Sequence, residues 1–180
     1  MPDWLGTTEV KAYLWNYRGL RVWLVDTPGF NDTNIEGKRT DTDVLKVVAI
    51  WLAAAYSTKT KLAGIIYLHA IHETRMTGAS LKNLIVFRSL CSEENQPGIV
   101  LITTRWTDRY GNRKVSTEEG EARIEQLLDK DVFWGLMFRS RCSVENHSGS
   151  AADAHRIVST IIDRQDARRF SLPLQKADGR

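Results

Sequence analysis

The sequence predicts an α/β domain with a mainly parallel sheet. Short apolar runs typical of buried strands alternate along the chain with longer segments whose apolar residues recur at helical spacing. Because such alternation is typical of strands joined by helical crossovers, most strands should run parallel. At 180 residues, of which 42% are hydrophobic, the chain is long enough for one domain with a sizeable core.

The first elements are predicted to be a hairpin and a helix. Residues 9–25 predict an antiparallel hairpin, in which Asn16-Tyr-Arg-Gly19 supplies the turn. The polar residues 31–42 predict a loop. The next segment has apolar residues at helical spacing, with Asp41 or Thr42 as its cap. These apolar residues are Val44, Val48, Trp51, Leu52 and Ala55.

Two further strands and three further helices are predicted. Residues 62–69 form a continuous apolar run, as in a strand buried on both faces, and residues 99–103 form another short buried strand. Ser80 precedes the second helix, and Ser116-Thr-Glu-Glu119 fits a capping box that opens the third. The apolar residues of the second helix are Leu81, Leu84, Ile85 and Leu90, and the third helix has Ile124, Leu127 and Leu128 facing inward. A last helix carries Ala154, Ile157, Val158, Ile161 and Ile162 on one face.

Composition and charge argue against several classes of protein. The formal net charge of +3 is too small to indicate a nucleic-acid partner. Cys91 and Cys142 are far apart without C-x-x-C spacing, so neither a disulfide framework nor a zinc site is expected. No apolar run approaches the ~18 residues of a membrane span, and residues 1–6 lack the apolar core of a signal peptide. We therefore expect a cytoplasmic protein.

The most informative stretch is the apolar run that ends at Asp26 and opens into Thr27, Pro28 and Gly29. A carboxylate at the C-terminal end of a buried strand lies at the sheet edge where α/β domains bind ligands. Gly29 lets a backbone N–H approach an anion closely, while Pro28 stiffens the turn. The pattern indicates a loop that senses phosphate and Mg²⁺. An ordinary strand-to-loop turn is the alternative, since Asp, Pro and Gly are common in turns.

A set of motifs along nearly the whole chain carries a family resemblance. The motifs are Val25-Asp-Thr-Pro-Gly-Phe-Asn-Asp-Thr33, Asp41-Thr-Asp-Val-Leu45, Gly64-Ile-Ile-Tyr-Leu-His69 with Arg75-Met76, Lys82-Asn-Leu84, Phe87-Arg88, Ile102-Thr-Thr-Arg-Trp106, Glu119-Gly-Glu-Ala-Arg123, Phe133-Trp-Gly135, and Asn146 with Ser150-Ala151. Together they resemble fungal P-loop GTPase-like proteins related to the septins and the immunity-associated GTPases. The resemblance implies a P-loop NTPase-like fold with three α/β/α layers, and hydrolysis of GTP to GDP with Mg²⁺.

The resemblance also implies roles for the residues around Asp26. Asp26 would hold a Mg²⁺-bound water, and Gly29 would donate its backbone N–H to the γ-phosphate. Thr7 would bind Mg²⁺ from the family's first switch and complete this catalytic set. Thr27 and Pro28 would complete the loop that contacts the nucleotide.

A second loop, which begins at Thr104, would contact the base. The family motif there is Asn/Thr-Lys-x-Asp, in which Lys covers the base and Asp accepts hydrogen bonds from guanine. Arg105 could cover a base with its flat guanidinium, but Thr107 cannot replace the carboxylate and Asp108 lies one residue late. By resemblance, Asn146 falls in the loop that closes over the base. A loop without base contacts is the alternative.

Two departures from the family pattern bear on activity. The sequence contains no G-x-x-x-x-G-K-[ST] motif, because Gly37-Lys38 is followed by Arg39 and preceded five positions earlier by Asp32. Phe30 stands where many GTPases have the Gln that orients the attacking water, so turnover would need another residue or a partner. The chain is therefore expected to begin after the family's first strand, P-loop and first helix, and to bind GTP weakly.

The predicted domain organisation follows from the same family resemblance. Residues 1–163 are predicted to form a partial G domain, and residues 164–180 the start of a helical extension or a tail. Expected partners are a guanine nucleotide and a second copy, in a homo-oligomer or G-domain dimer. A sheet edge left unpaired beside residues 20–25 should make the isolated chain associate. The alternatives are a truncated fragment or a nucleotide-free interaction module that keeps the G-domain shape.

His69 and His72 lack a third ligand in the sequence pattern and are expected to be structural.

Overall fold

A computed structural model of the chain describes residues 9–29, 41–57, 62–73, 76–91, 93–108 and 110–165. The chain divides into two compact units, the first of residues 1–60 and 174–180 and the second of residues 61–173. Among the described residues, the first unit contains an antiparallel hairpin and the second a three-stranded parallel sheet. None of the helices within these described ranges is long and apolar enough to cross a membrane.

The hairpin of the first unit consists of β1 (Lys11–Tyr17) and β2 (Leu20–Asp26). The two strands pair antiparallel, as the sequence predicts. Arg18 and Gly19 form the turn with φ of +48° and +78°. Positive φ at both turn residues matches the twist of the flanking strands, and Gly adopts it without a steric penalty.

Helix α1 (Asp41–Ser57) completes the described part of the first unit. Val44 and Leu52 are buried on its apolar face, which confirms the predicted periodicity. The helix begins at Asp41, one of the two residues predicted to cap it. The side chains of Asp41 and Thr42 lie outside the described residues, so the cap stays a prediction.

The sheet of the second unit has the order β3-β4-β5 with all strands parallel. Its strands are β3 (Ile65–Ala70), β4 (Ile99–Thr104) and β5 (Ser143–Asn146). The central strand β4 is buried along nearly its whole length, as predicted. The prediction that the first of these strands is buried on both faces is wrong, because Ile66 and Leu68 on β3 are 38% and 63% exposed. Strand β5 was not predicted, since four residues that include Ser, Glu and Asn give no strand signal.

The helices of the second unit begin at well-defined caps. Thr77 caps α2, because its Oγ1 accepts a hydrogen bond from the backbone N of Ser80 at 3.1 Å. The predicted start at Ser80 is therefore wrong by about one turn. The capping box at Ser116 is confirmed by bonds in both directions with Glu119, of 3.1 and 3.2 Å. The helices are α2 (Gly78–Leu90), α3 (Thr117–Asp129), α4 (Leu136–Arg139) and α5 (Ala151–Gln165), with a 3-10 turn at Glu93–Gly98 and a π-type turn at Asp131–Gly135.

Helices cover both faces of the parallel sheet. On one face, Val100 and Ile102 of β4 form a buried cluster with Ile157 and Ile161 of α5. On the other face, the ring of Tyr67 on β3 lies 4.7 Å from that of Phe87 on α2. Since neighbouring residues of a strand point to opposite faces, these contacts place α5 and α2 on opposite sides of the sheet. The second unit is therefore layered as helix, sheet and helix.

Candidate functional site

The loop predicted to sense phosphate follows β2 in the first unit. Asp26 is the last residue of β2 and is exposed, as are Thr27 and Gly29, while Pro28 is buried. A Cβ atom added at Gly29 would meet no heavy atom of the described residues within 4 Å. Gly29 is therefore not crowded by any described residue. The roles of Asp26 and Gly29 towards phosphate and Mg²⁺ stay predictions. Thr7 and Phe30 lie outside the described residues.

The second candidate site lies where β4 and β5 end in the second unit. Thr103, which is fully buried, donates a hydrogen bond through Oγ1 to Oδ1 of Asn146 at 2.7 Å. The backbone N of His147 donates to the carbonyl oxygen of Thr103 at 2.9 Å. These bonds hold Asn146 beside the segment that begins at Thr104. The structure thus brings together two residues that the sequence separates by more than forty positions.

Arg105 projects from this strand end in a strained conformation. Its φ of +59° lies in the left-handed region, and its side chain is exposed. A non-glycine residue held there costs about 1 to 3 kcal/mol, and such strain is concentrated at functional sites. Within the described residues, the guanidinium of Arg105 forms no hydrogen bond or ion pair. The predicted role of Arg105, to cover a planar base, stays a prediction.

Asp108 is engaged by its own loop. Its Oδ1 accepts hydrogen bonds from the backbone N of Tyr110 at 2.8 Å and of Asn112 at 2.9 Å, and Oδ2 accepts from Nδ2 of Asn112 at 3.0 Å. The side-chain bond from Asn112, with the two backbone bonds, lowers the pKa of Asp108. A guanine base that used this carboxylate would have to share it with the loop. The role of Asp108 in reading the base stays a prediction.

Trp106, which lies between Arg105 and Asp108 in the loop after β4, holds this loop against the end of the strand. Its Nε1 donates to Oγ1 of Thr103 at 3.0 Å and to the carbonyl oxygen of Thr103 at 3.3 Å. Its ring lies against α3 where a Cβ atom on Gly120 would come within 2.1 Å of it. The sequence did not lead us to predict that Thr103 and Gly120 position this loop. Gly120 could have been found, because a glycine inside a helix costs about 1 kcal/mol relative to Ala and usually marks a close approach of another group.

The loop after β5 is tied to α5. Asp153 accepts hydrogen bonds from Oγ and from the backbone N of Ser148, at 2.5 and 2.9 Å, and these bonds, the side-chain one first, lower the pKa of Asp153 to about 2. Arg156 pairs with Glu145 and donates to the carbonyl oxygen of Asn146 at 3.0 Å. The backbone of Asn146 is therefore held from α5 while its side chain is held from β4.

The predicted site residues fall into two groups. Asp26, Thr27, Pro28 and Gly29 belong to the first unit, whereas the base-loop residues belong to the second. Those base-loop residues are Thr104, Arg105, Asp108 and Asn146. The described ranges contain no group of three or more His, Cys, Asp or Glu side chains that could hold a metal ion.

A parallel sheet covered on both faces, with polar loops at the carboxyl ends of its strands, is typical of a P-loop NTPase-like α/β fold. Solved structures of Toc33 from Arabidopsis thaliana share this fold. The dimerisation-deficient mutant of Toc33 matches with a TM-score of 0.66 and 12% identity, over 96% of this chain and 75% of that one. Toc33 with Mg²⁺ and GMPPNP matches with a TM-score of 0.63 and 13% identity, over 91% of this chain and 73% of that one. Toc33 with GDP and Mg²⁺ matches with a TM-score of 0.64 and 14% identity, over the same shares of 91% and 73%.

At these identities the likeness shows the fold alone. No protein-family model matches the chain. No curated protein matches it either. The predicted P-loop NTPase-like α/β fold is confirmed. The septin-like and fungal parts of the resemblance stay predictions.

Proposed function

We propose that this chain is a guanine-nucleotide-binding domain of the P-loop GTPase type that works with Mg²⁺. The observation that carries the proposal is its fold, which is similar to Toc33 structures that contain GMPPNP or GDP together with Mg²⁺. The polar loops that follow β4 and β5 support it, because nucleotides bind at the carboxyl ends of the strands in parallel α/β sheets. Hydrolysis of GTP to GDP is the reaction proposed for the complete site.

In the first unit, the loop at Asp26 is proposed to contact the phosphates. The exposed carboxylate of Asp26 would accept hydrogen bonds from metal-bound water, and the backbone N–H of Gly29 would donate to the terminal phosphate. Thr27 and Pro28 shape the loop between them, and Thr7 is proposed as a further oxygen ligand. When bound, Mg²⁺ supplies positive charge that offsets the charge on the phosphates.

In the second unit, the loops after β4 and β5 are proposed to contact the base. Arg105 stacks its guanidinium on the base, and Thr104 begins the segment that carries it. Asn146 closes over the base from β5, in a position fixed by its bond to Thr103. Asp108 accepts hydrogen bonds from guanine only when its carboxylate gives up the hydrogen bonds that it accepts from Tyr110 and Asn112.

A dimer through G domains is proposed as the working assembly. Dimerisation is reported as important for the GTPase activity of the chloroplast translocon components atToc33 and psToc159, and the atToc33 and psToc159 structure matches this chain with a TM-score of 0.66. A homodimer of this chain is proposed by analogy with those proteins. A septin-like specificity is proposed from the motif resemblance alone, and a place in the cytoplasm from the sequence pattern alone.

A nucleotide-free interaction module is the second candidate. Two observations favour it. The printed sequence has no G-x-x-x-x-G-K-[ST] motif to cradle the phosphates. In addition, both carboxylate oxygens of Asp108 are engaged by its own loop.

Titration of the 180-residue chain with a fluorescent GTP analogue, with Mg²⁺ and with EDTA, tests the two candidates. We expect weak binding that depends on Mg²⁺. Asp26→Asn, which removes the charge and keeps the shape, should weaken binding by about 10- to 100-fold, as for residues that orient metal-bound water. Asp129→Asn is the matched control, because Asp129 is an exposed carboxylate at the end of α3. Binding that ignores both Mg²⁺ and Asp26→Asn would favour the nucleotide-free module.

A further inference from the structure

A small cavity in the second unit is separate from the residues of both candidate loops. It has a volume of about 190 Å³ and lies between the end of β3, α3 and the turn at Asp131–Gly135. The cavity is lined by His69, Ile71, Glu73, Met76, Arg123, Gln126, Leu127, Lys130 and Phe133. A few convergent polar groups on an otherwise apolar wall are typical of a small-molecule site.

His69 gives the cavity a polar group that the fold does not use. Its side chain is only 8% exposed, and its imidazole forms no hydrogen bond to any residue that the structure describes. The ring packs edge-on against Trp134, with 5.7 Å between the centroids. Burial lowers the pKa of His69 more than Glu73 raises it, so the imidazole is neutral at pH 7 and offers one donor and one acceptor.

Two cationic side chains, Arg123 and Lys130, line the cavity. Within the described residues, neither Arg123 nor Lys130 forms an ion pair. One guanidinium N–H of Arg123 donates to the carbonyl oxygen of Ile71 at 2.9 Å, which fixes the group and leaves its other donors available. The ammonium of Lys130 lies 5.4 Å from the centre of the Phe133 ring.

We propose that this cavity binds a monocarboxylate with a small apolar group. The described residues of the lining carry the two positive charges of Arg123 and Lys130 and the negative charge of Glu73, a balance that suits a monoanion. Among these residues, Glu73 would repel a phosphate dianion more strongly than a monoanion. Arg123 matches a carboxylate with its planar donors, and Lys130 adds a point charge. Met76, Leu127 and Phe133 provide an apolar wall for the rest of the ligand. The volume accommodates a molecule the size of butyrate.

Titration of the full chain with sodium butyrate, followed by the imidazole and backbone NMR signals of the cavity residues, tests the proposal. Sodium chloride at equal ionic strength and the neutral isostere butyramide are the matched ligands. We expect saturable shifts at His69 and Lys130 with butyrate and none with butyramide. Equal shifts with butyramide, or none with butyrate, overturn the proposal.

Two variants, each of which removes one lysine charge, distinguish binding in this cavity from an effect of the protein's overall charge. Lys130→Gln should weaken butyrate binding by about tenfold, the usual size of one charge-assisted contact. Lys82→Gln removes the same charge from an exposed position on α2 outside the cavity and should change binding less than twofold. Equal affinity of the two variants would refute the role of Lys130.

The same carboxylate chemistry could come from the end of another polypeptide chain. A tetrapeptide that ends in valine and its C-terminal amide distinguish the sources. Tighter binding by the free-acid peptide than by butyrate identifies a chain terminus as the source and supports the carboxylate assignment. Binding by butyrate alone identifies a free small acid, because a peptide backbone needs more room than the cavity provides. Binding by the amide as tight as that of the free acid overturns the assignment.

Discussion

Replacing Gly120 by Ala should loosen the loop after β4 and lower the stability of the protein. The new Cβ atom would lie 2.1 Å from Cζ3 and 2.3 Å from Cη2 of Trp106. Atoms this close must move, and the helix backbone on one side leaves the indole as the group that shifts. A shift of the ring breaks the bonds from its Nε1 to Thr103. The loop that holds Arg105 then loses its support.

The magnitude follows from three contributions. Overpacking a filled site costs about 1 to 3 kcal/mol. The lost hydrogen bonding of the indole N–H costs about 1 kcal/mol more. The higher helix propensity of Ala relative to Gly offsets about 1 kcal/mol of this destabilisation. The net loss should therefore be about 1 to 3 kcal/mol.

Urea unfolding followed by circular dichroism measures this difference. Gly78→Ala is the matched control, because Gly78 also lies in a helix and a Cβ atom there meets nothing within 4 Å of the described residues. Gly78→Ala should be neutral or slightly stabilising. In a Trp106→Leu background, Gly120→Ala should cost less than it does in the parent protein, because the smaller side chain makes room for the methyl group. A Gly120→Ala protein at least as stable as the parent would refute this account of Trp106.

Three further predictions concern acid stability, association and base choice. Because the hydrogen bonds from Ser148 lower the pKa of Asp153 to about 2, below the ~3.9 of an unfolded chain, they stabilise the fold above pH 4. That contribution should fade as the pH falls from about 4 to about 2, and Asp153→Asn should flatten this part of a stability-versus-pH curve; an unchanged curve would contradict the assignment. Leu68→Lys should reduce dye binding and self-association in size-exclusion chromatography, since Ile66 and Leu68 are exposed on the edge strand β3; unchanged association would place the sticky surface elsewhere. In competition, GTP should be preferred over ATP by far less than the ~10⁴-fold of sites that bond the whole base edge, because the carboxylate of Asp108 is shared with its loop; a larger preference would mean that an acid reads guanine.

The sequence was sufficient to predict the elements whose signal is local. The segment Asn16-Tyr-Arg-Gly19 predicted the hairpin turn, although Asn16 and Tyr17 belong to β1 and only Arg18 and Gly19 form the turn itself. Ser116 with Glu119 has the spacing of a capping box. The buried run of β4 predicted a central strand. In each case the residues that decide the structure are close together in the chain.

The features that the sequence did not predict depend on contacts between distant residues. Strand β5 forms because the buried strand β4 offers it a partner, although its own four residues show no strand pattern. The exposure of Leu68 depends on what covers its face of the sheet, which no local pattern reports. The engagement of Asp108 by Asn112 depends on the path of the loop. Periodicity carries no information on such pairings.

The bonds that join the ends of β4 and β5 have a consequence for motion. Thr103 is bonded to both Asn146 and His147, and Thr107 Oγ1 donates to the carbonyl oxygen of Ser148 at 3.3 Å. Two loops linked at three points cannot fluctuate independently, so their backbone order parameters should rise and fall together. A molecule that orders one loop would then also order the other, and the entropy lost on binding would be spread over both segments rather than concentrated at the point of contact.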